Sequence, residues 1–382
     1  MSDAALPTSD RIEGAPHPRD TAQLFGQASA EADFLGAFNT GRLHHGWLVT
    51  GPRGIGKATL AYRIARFLLT RPVDAPDGLF GAPEEPASRE VSPDHPVARR
   101  IAAGAEPGLF VLKRGGAGST EGDRHKNLEA GKFAQDIRVD DVRKLNEFFN
   151  FSAAGGGRRV VIVDAADEMN VQAANALLKR LEEPPANTTL LLISHQPTRL
   201  LPTIRSRCRE LRLDPLAPDD IRAAMQQAMP DAEEDMTALT ALTSGSVGEA
   251  IRLANLSGLA IYAELTGLFG TLPRMDRSRA VKLAEAAAQR GGGDRLDLLI
   301  DLLGLLLARL ARSGTMGHAP ALQAVPGEAE MLMRLSPDPQ HARKWADVAS
   351  ETGAKLRHGR AVNLDPAALI LDTLRDIEQA AA

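Results

Sequence analysis

The sequence predicts a parallel α/β domain followed by an all-helical second half. Short apolar runs alternate with helical patterns up to about residue 215, which is the arrangement of a layered α/β domain. A glycine-rich loop of the phosphate-binding type follows the first of these runs and opens a helix. Beyond Pro215 the strand-like runs stop, and the helix-forming residues Ala, Leu, Arg and Glu dominate.

Five apolar segments predict the strands of the sheet. Each is short and bounded by turn-forming residues, as expected of buried parallel strands. They cover residues 47–49, 109–112, 160–163 and 190–193, with a fifth at Leu211 and Leu213. The main helical patterns cover residues 59–69 and 171–183. In the second pattern, apolar residues recur at helical spacing at Ala174, Leu177, Leu178 and Leu181.

Composition restricts both the compartment and the kind of partner. The 382 residues are enough for two or three domains. No run of about 18 apolar residues can span a bilayer and the first residues are polar, so we expect a cytoplasmic protein without membrane contact. A net charge of -4 argues against a long nucleic-acid surface on the chain itself. The single cysteine, Cys208, excludes an internal disulfide and a Cys-rich zinc site.

Three segments interrupt or depart from these patterns. Over about residues 74–106 and 115–131, Pro, Gly and charged residues replace the periodic pattern, which favours inserted surface loops. Residues 313–327 contain Pro and Gly and predict a connection within the helical half. Just before it, the leucine-rich stretch 298–307 must be buried on more than one side.

The clearest functional motif is the glycine-rich loop at residues 51–57. Gly51, Gly56 and Lys57 have the G-x-x-x-x-G-K spacing, and Gly54 lies between them. In such a loop, backbone N–H groups and a helix N-terminus surround a phosphate while the lysine supplies a cation. The loop therefore predicts a nucleotide-binding site. The alternative is a glycine-rich turn that only begins a helix.

One magnesium ligand is missing from this predicted site. The residue after Lys57 is Ala58, where a Ser or Thr hydroxyl normally ligates Mg²⁺. Thr59 is one residue further along the helix, so its side chain is rotated by about 100° away from that position. Nucleotide binding through the backbone and Lys57 is retained in this interpretation, but hydrolysis loses a metal ligand.

A second catalytic group is missing from the strand at residues 159–164. This strand ends in Asp164, which is suited to hold the water shell of a metal; the alternative is that it only caps the following segment. In hydrolytic proteins of this architecture the next residue is usually a glutamate that polarises the attacking water, but here it is Ala165. Asp167 and Glu168 are out of register. Two absent oxygens predict a degenerate ATPase site.

Three further motifs give the chain a specific resemblance. They are Arg-Leu-His-His-Gly-Trp-Leu at residues 42–48, Ala-Asn-Ala-Leu-Leu-Lys-Arg-Leu-Glu-Glu-Pro-Pro at 174–185 and Thr-Ile-Arg-Ser-Arg-Cys at 203–208. Together with the phosphate loop, across about residues 24–215, they resemble the bacterial DNA polymerase III clamp-loader family. Within that family the chain is more similar to the delta-prime subunit than to the motor subunit called gamma or tau.

The resemblance implies a domain organisation. It predicts an AAA+-like P-loop parallel-sheet domain at residues 1–215, followed by a small helical lid at 216–257. An all-α collar domain at 258–382 would then mediate oligomerisation. In the helical half the similarity is mainly one of layout.

The resemblance also gives Arg207 a role. Ser206, Arg207 and Cys208 look like the family's SRC motif, which places an arginine at a subunit boundary facing the ATP of the neighbouring protomer. A guanidinium that is always charged suits the developing charge on a γ-phosphate. The alternative is an ordinary surface arginine, like Arg205 nearby. Cys208 has no catalytic partner in a recognisable pattern and is interpreted as a packing residue.

Further family elements are altered or absent. Ser194 falls where the first sensor residue of the family touches nucleotide. Residues 245–250 resemble the second sensor helix, but Gly248 replaces an arginine that motor subunits carry. The stretch 71–99, where many clamp-loader subunits have a four-cysteine zinc module, contains no cysteine, so we expect no zinc.

Two functions from different classes follow. The first is a non-hydrolytic delta-prime-type subunit that offers Arg207 to a gamma/tau motor subunit. With the delta subunit it would help to load the sliding clamp onto primed DNA; it requires no cofactor of its own, and ATP or ADP could occupy the degenerate site. The second is an active gamma/tau-like motor ATPase, which needs Thr59, Asp167 or Glu168 to replace the missing groups. A small-molecule P-loop kinase is disfavoured by the SRC motif and the long helical half.

Overall fold

A computed structural model describes most of the chain. It covers residues 7–21, 23–71, 88, 90–151, 157–231, 235–289 and 293–382. The described residues divide into two compact units. The first extends to Ala228 and includes Gly245–Gly248; the second comprises Met229–Ser244 and Glu249–Ala382. The three predicted domains are not tested by this division and stay predictions.

The first unit contains the predicted parallel sheet. Its five strands are β1 Gly46–Thr50, β2 Leu109–Lys113, β3 Arg159–Asp164, β4 Thr188–Ser194 and β5 Arg209–Arg212. Their order in the sheet is β2-β3-β4-β1-β5, and every neighbouring pair is parallel. This confirms the predicted α/β class and all five predicted strands. In β1 and β4 every residue is buried, as expected where helices cover both faces of a sheet.

The strand register brings the ends of the strands together. Thr50 lies opposite Ser194, and Lys113 lies opposite Asp164. In an open parallel sheet, ligands bind at the carboxyl ends of the strands. This edge carries the phosphate loop, since the loop follows Thr50 directly.

Eight α-helices accompany the described part of the sheet unit. They are α1 Ala28–Asn39, α2 Lys57–Leu69, α3 Pro96–Ala102, α4 Glu121–Glu129, α5 Val139–Phe151, α6 Val171–Glu182, α7 Pro202–Arg205 and α8 Pro218–Ala228. Helices α2 and α6 confirm the two main helical patterns. A core on one face of the sheet includes Leu145 from α5, Leu177 from α6 and Val161 from β3, all fully buried.

Two of these helices lie in segments predicted as inserted loops, so that prediction was wrong for those residues. α3 begins after His95, whose ring accepts the N–H of Val97, and α4 begins after Thr120, whose hydroxyl accepts the N–H of Asp123. α4 buries no residue, and a helix without a buried face leaves no apolar periodicity in the sequence. The rest of the first segment, residues 74–87 and 89, lies outside the described residues, as does most of the stretch without cysteine.

Helices are the regular secondary structure among the described residues of the second unit, as predicted. Its helices are α9 Met236–Thr243, α10 Val247–Asn255, which begins in the first unit, α11 Gly258–Gly270, α12 Arg277–Ala287, α13 Gly293–Met316, α14 Glu328–Leu335, α15 Pro339–Ala361 and α16 Pro366–Ala381. α13 buries most of the predicted leucine stretch. It continues to Met316, so the predicted connection at 313–327 starts four residues later than expected, after Met316. Within the described ranges, no helix has the length and hydropathy needed to cross a membrane.

A buried ion pair holds the second unit together. Glu328 of α14 is fully buried: its Oε1 forms an ion pair with Arg309 Nε of α13 at 2.8 Å and accepts a hydrogen bond from the Tyr262 hydroxyl of α11 at 2.6 Å. Its second oxygen accepts the Ala324 N–H at 2.8 Å. Arg309 also donates to the carbonyls of Ala241 and Leu322, both at 2.8 Å. Buried charges persist when their hydrogen-bonding capacity is met in this way.

Candidate functional site

The phosphate loop adopts a conformation that requires glycine. Gly51, Gly54 and Gly56 have φ values of 134°, 76° and 100°. At Gly54 a Cβ atom would lie 2.4 Å from Ser246 Oγ and 2.9 Å from the backbone of Gly248. The loop carbonyl of Gly54 accepts the N–H of Gly248 at 2.9 Å. The segment predicted as the second sensor is therefore packed against the loop, and the missing side chain at residue 248 permits this backbone contact.

Lys57 points into its own loop. Its side chain is only 3% exposed, and Nζ donates to the carbonyl oxygens of Gly51, at 2.7 Å, and Pro52. Burial lowers the pKa of Lys57 to about 8, against the opposing effect of the Asp164 carboxylate. The cation expected to meet a phosphate is thus engaged with backbone oxygens within the chain.

Asp164 ends β3 beside Lys113 of β2, as the strand register shows. Burial raises its pKa to about 7, and the carboxylates of Asp10 and Glu168 act in the same direction. Lys57 and Lys113 oppose the rise. Near neutral pH this carboxyl group therefore exists in both its protonated and its charged form.

A buried carboxylate near this edge was not predicted from the sequence. Asp10 lies in the N-terminal segment and accepts from His17 Nε2 at 3.1 Å and from Lys113 Nζ at 2.7 Å. Burial raises its pKa, but these hydrogen bonds and charges outweigh burial and hold the pKa well below its usual range. No local pattern marks Asp10, because its partner Lys113 is 103 residues away in the sequence.

The two acidic residues that could replace the missing glutamate are engaged elsewhere. Asp167 accepts the backbone N–H of His195 at 3.1 Å and of Gln196 at 3.2 Å. Glu168 forms ion pairs with Arg53 and Arg114, both at 2.9 Å. These contacts direct both carboxylates to groups of the chain itself.

The donor set does not fit a hydrolytic Mg²⁺ and nucleotide site. Ala58 and Ala165 offer no side-chain oxygen at the two positions where such a site needs one. Of the remaining oxygens, Asp164 lies at the end of β3, whereas Thr59 is displaced around the helix. Lys57 and the loop amides can bind a phosphate. The complete set of oxygen ligands for a hydrolytic Mg²⁺ site is not present.

Ser194 lies in the expected place at the end of β4. It is fully buried opposite Thr50, and its hydroxyl has no hydrogen-bond partner among the described residues. The next residue, His195, has a pKa lowered to about 4, first by burial and then by the positive charges of Lys57 and Arg53. The structure thus brings Ser194, Lys57 and Asp164 to one edge of the sheet.

Arg207 lies at the opposite edge of the sheet. It precedes β5, whose first residue Arg209 pairs with Trp47 near the start of β1. The phosphate loop begins where β1 ends, about 13 Å further along the strand at roughly 3.3 Å per residue. The structure therefore separates Arg207 from the phosphate loop of its own chain.

The guanidinium of Arg207 makes one ion pair, with Glu182, and two hydrogen bonds, to the Thr203 carbonyl and, at 3.5 Å, to the Ser206 hydroxyl oxygen. Nη2 lies 2.9 Å from Glu182 Oε1, and Nη1 donates to the Thr203 carbonyl at 3.0 Å. The Ser206 hydroxyl donates to the same carbonyl at 3.2 Å. The Arg207 side chain is 38% exposed, so it remains accessible to a ligand. Glu182 was not identified as a site residue from the sequence, although it belongs to a quoted motif.

Three sequence motifs meet around this arginine. His45 Nε2 lies 2.9 Å from the Leu181 carbonyl oxygen. A Cβ atom at Gly46 would lie within 3.0 to 3.3 Å of Leu181 Cδ2, the Arg207 carbonyl and Cys208 Sγ. Burial raises the pKa of the Cys208 thiol to about 12, so the thiol stays protonated at neutral pH.

Comparisons with known proteins give the chain a family. The model of the family described as DNA polymerase III, delta subunit, matches residues 26–217. Subunit delta-prime of DNA polymerase III from Pseudomonas aeruginosa is 39% identical over 210 residues, or 55% of either chain, and that from Escherichia coli K12 is 30% identical over 219 residues, or 57% of either chain. Subunit tau from Escherichia coli K12 is 26% identical over 302 residues, covering 74% of this chain and 40% of tau.

The part of the chain that matches the family includes the motifs identified in the sequence. The chain spans about half the length of the delta-prime relatives that it matches. The family match covers all five strands, the phosphate loop and the SRC motif. The protein belongs to the delta-prime family of clamp-loader subunits of DNA polymerase III.

Proposed function

We propose that this chain is a non-hydrolytic delta-prime-type subunit that supplies Arg207 to the ATP of a neighbouring motor subunit. In this role it is a scaffold and an arginine donor within the clamp loader. Its partners are the gamma/tau motor subunits and the delta subunit, and through them the sliding clamp and primed DNA. The helical residues 258–382 serve as the collar that holds the subunits together.

The position of Arg207 carries this proposal. A group at the amino-terminal edge of the sheet cannot reach a nucleotide held at the carboxyl-terminal edge about 13 Å away, since an arginine side chain is too short to cross the sheet. An accessible arginine in a family motif, remote from its own phosphate loop, is suited to a site on another protomer. An arginine supplied from a neighbour can stabilise the charge that develops on a transferring phosphoryl group.

The state of the phosphate loop supports the absence of hydrolysis. Lys57 binds loop carbonyls, and Asp167 and Glu168 are occupied by backbone N–H groups and by arginines. Ala58 and Ala165 lack the oxygens that a hydrolytic site uses. The alternative of a motor ATPase requires Asp167 or Glu168 to leave these partners. ATP or ADP at this site would be held without turnover, and the proposed role requires no cofactor on this chain.

The negative net charge of the chain favours contact with DNA mainly through partner subunits. The net charge of -4 is opposite to that expected for a chain that holds a long stretch of phosphate backbone. In the proposed complex most of the DNA contact therefore falls to the partner subunits. We therefore expect DNA binding by this chain alone to depend less on salt concentration than DNA binding by the complex.

The test is reconstitution with the gamma/tau and delta subunits. ATP turnover stimulated by clamp and primed DNA is measured with wild-type chain, Arg207→Ala and the matched control Arg205→Ala, an exposed arginine of the same motif. Loss of an arginine finger can lower turnover about 10³-fold at the site that it serves. We expect Arg207→Ala alone to lower total turnover, with equal assembly of all three chains by gel filtration.

Two outcomes contradict the proposal. Unchanged turnover with Arg207→Ala makes this residue an ordinary surface arginine. Turnover by the purified chain alone above about 1 per second, which is typical of enzymes, contradicts the absence of hydrolysis.

A further inference from the structure

Arg207 is held by a carboxylate from a second motif. Glu182 is the last residue of α6, and its Oε1 lies 2.9 Å from Arg207 Nη2. We propose that Glu182 is a positioning residue that orients Arg207 toward the nucleotide of the neighbouring subunit. This inference rests on the proposed function, in which Arg207 acts on that nucleotide.

The main chain at Glu182 is fixed by its neighbours. Leu181 is 1% exposed, and its carbonyl oxygen is the acceptor for His45 Nε2. The N–H of Glu183 donates to the Lys179 carbonyl and closes the helix. Only the side-chain torsions of Glu182 are therefore free, and a carboxylate on a fixed backbone can hold its partner in a defined direction.

The main chain at Arg207 is fixed as well. Its N–H donates to the Ile204 carbonyl at 3.1 Å, and Ile204 is fully buried. Its carbonyl lies against Gly46 at the start of β1, where a Cβ atom would be 3.1 Å away. Between these two fixed segments, Glu182 and the Thr203 carbonyl each hold one Nη atom of the guanidinium.

This arrangement leaves donors for a ligand. A guanidinium has five N–H groups, and the contacts to Glu182, Thr203 and Ser206 leave others directed elsewhere. Two supports in different elements define the plane of the guanidinium, and orientation before reaction is the main contribution of a group that stabilises developing charge.

The pair has little to contribute to stability. The side chains of Arg207 and Glu182 are 38% and 44% exposed, and solvent screens ion pairs that are this accessible. If Glu182 positions Arg207, substitution of Glu182 should therefore strongly lower the rate of ATP turnover and only slightly lower the stability of the fold.

The chain offers a matched control in the next residue. Glu183 has the same side chain, is exposed, and forms no ion pair with the described residues. The isosteric variant Glu182→Gln keeps an oxygen that can accept from Arg207 Nη2, whereas Glu182→Ala has no side-chain acceptor. Comparing these two variants separates the effect of the negative charge at residue 182 from the effect of an acceptor that orients Arg207.

The experiment isolates the site that Arg207 serves. The full complex is assembled with motor subunits whose own SRC arginine is replaced by alanine, and the rate of a single ATP turnover and the KM for ATP are measured with clamp and primed DNA. We expect Glu182→Ala to lower the rate about ten-fold. This is less than the roughly 10²-fold cost of a 1 Å misplacement, because Thr203 still holds one Nη atom. The KM should stay within about two-fold, Glu182→Gln should recover most of the rate, and Glu183→Ala should match wild type.

The double variant Glu182→Ala with Arg207→Ala completes the test. If Glu182 acts through Arg207, the double variant is no slower than Arg207→Ala alone. A wild-type rate with Glu182→Ala, or a higher rate, overturns the inference while Arg207→Ala still lowers turnover and keeps the proposed function. A further decrease in the double variant means a general structural role and also overturns it. No effect of Arg207→Ala overturns the proposed function itself, and with it the inference.

Discussion

The ring of His45 binds the end of helix α6: Nε2 lies 2.9 Å from the carbonyl oxygen of Leu181. Since a carbonyl only accepts, the ring donates from Nε2. The contact joins the start of β1 to the helix end that carries Glu182. Two motifs that lie 136 residues apart in sequence thus support one arginine.

Replacing His45 should loosen this junction. His45→Ala leaves the part-buried Leu181 carbonyl without its donor, and an unmade buried hydrogen bond costs about 1–3 kcal/mol. Urea unfolding measures the loss, with the exposed His125→Ala as a control expected to change stability by less than about 0.5 kcal/mol. An equal effect of the two substitutions contradicts a specific role of His45.

The contribution of His45 should depend on pH. Burial is the largest cause of its lowered pKa in the folded chain, and a histidine with a depressed pKa contributes stability that is present above its unfolded value of 6.5. That contribution is lost as pH falls below 6.5 toward the folded pKa. The stability difference between wild type and His45→Ala should therefore shrink between pH 7.5 and acidic pH, and a constant difference contradicts this expectation.

Local sequence patterns predicted the strands and the phosphate loop. The strands are continuous apolar runs, and the loop at Gly51 to Lys57 carries its spacing within seven positions, so both are visible in short windows. The structure confirms that the strands form a parallel sheet. The order of the strands was not predicted, because it depends on contacts between segments that are far apart in the sequence.

Long-range pairs could not be predicted in this way. The contact between Asp10 and Lys113, and that between Glu182 and Arg207, join segments that only the folded sheet brings together. Helix α4 was missed for a different reason: it has no fully buried residue, so the sequence shows no apolar stripe there, and only signals at its start, such as the cap at Thr120, mark it. A short stretch of sequence reveals burial through the spacing of its apolar residues. Two charged residues that pair across the fold produce no such spacing.

Breaking the buried ion pair of the helical unit should be strongly destabilising. Glu328→Ala leaves Arg309 buried without its carboxylate, and such losses cost about 3–5 kcal/mol. Tyr262→Phe removes only a hydroxyl that donates to the same carboxylate, so we expect about 1–2 kcal/mol. Urea denaturation of the full chain, followed by circular dichroism, ranks the two variants. Equal or negligible effects contradict the view that this pair holds the unit together.

Alanine should have opposite effects at two glycines. Gly54→Ala combines a φ of 76° with a Cβ atom 2.4 Å from Ser246 Oγ, so it should destabilise the chain by about 1–3 kcal/mol. Gly304→Ala places a methyl group in open space within helix α13, where alanine is favoured over glycine by about 0.8–1.0 kcal/mol. Differential scanning calorimetry should therefore show a lower Tm for the first variant and a higher Tm for the second. A rise in Tm with Gly54→Ala contradicts the tight packing of the phosphate loop.

Removing the charge of Asp164 should stabilise the ligand-free chain more as pH rises. Burial raises the pKa of this carboxyl group to about 7, from its ordinary pKa of 3.8 in the unfolded chain. A group with a raised folded pKa contributes stability that is fully present below its unfolded pKa and lost as pH rises through the folded value. In the wild-type chain this contribution therefore decreases between about pH 4 and 7, while Asp164→Asn has no charge to lose.

The gain from Asp164→Asn over wild type should accordingly be larger at pH 7.5 than at pH 5, by about 1–3 kcal/mol on the basis of 1.36 kcal/mol per pKa unit. Thermal unfolding at both pH values measures it, and a comparison below pH 8 limits the influence of Lys57, whose pKa is also shifted. Asp214→Asn, at an exposed carboxylate, controls for general charge effects. A gain that is equal at both pH values, or larger at pH 5, would mean that Asp164 is already charged in the folded chain at pH 5. In that case the carboxyl group would face Lys57 and Lys113 as an ordinary ion-pair partner, and the degenerate site would retain a full negative charge at neutral pH.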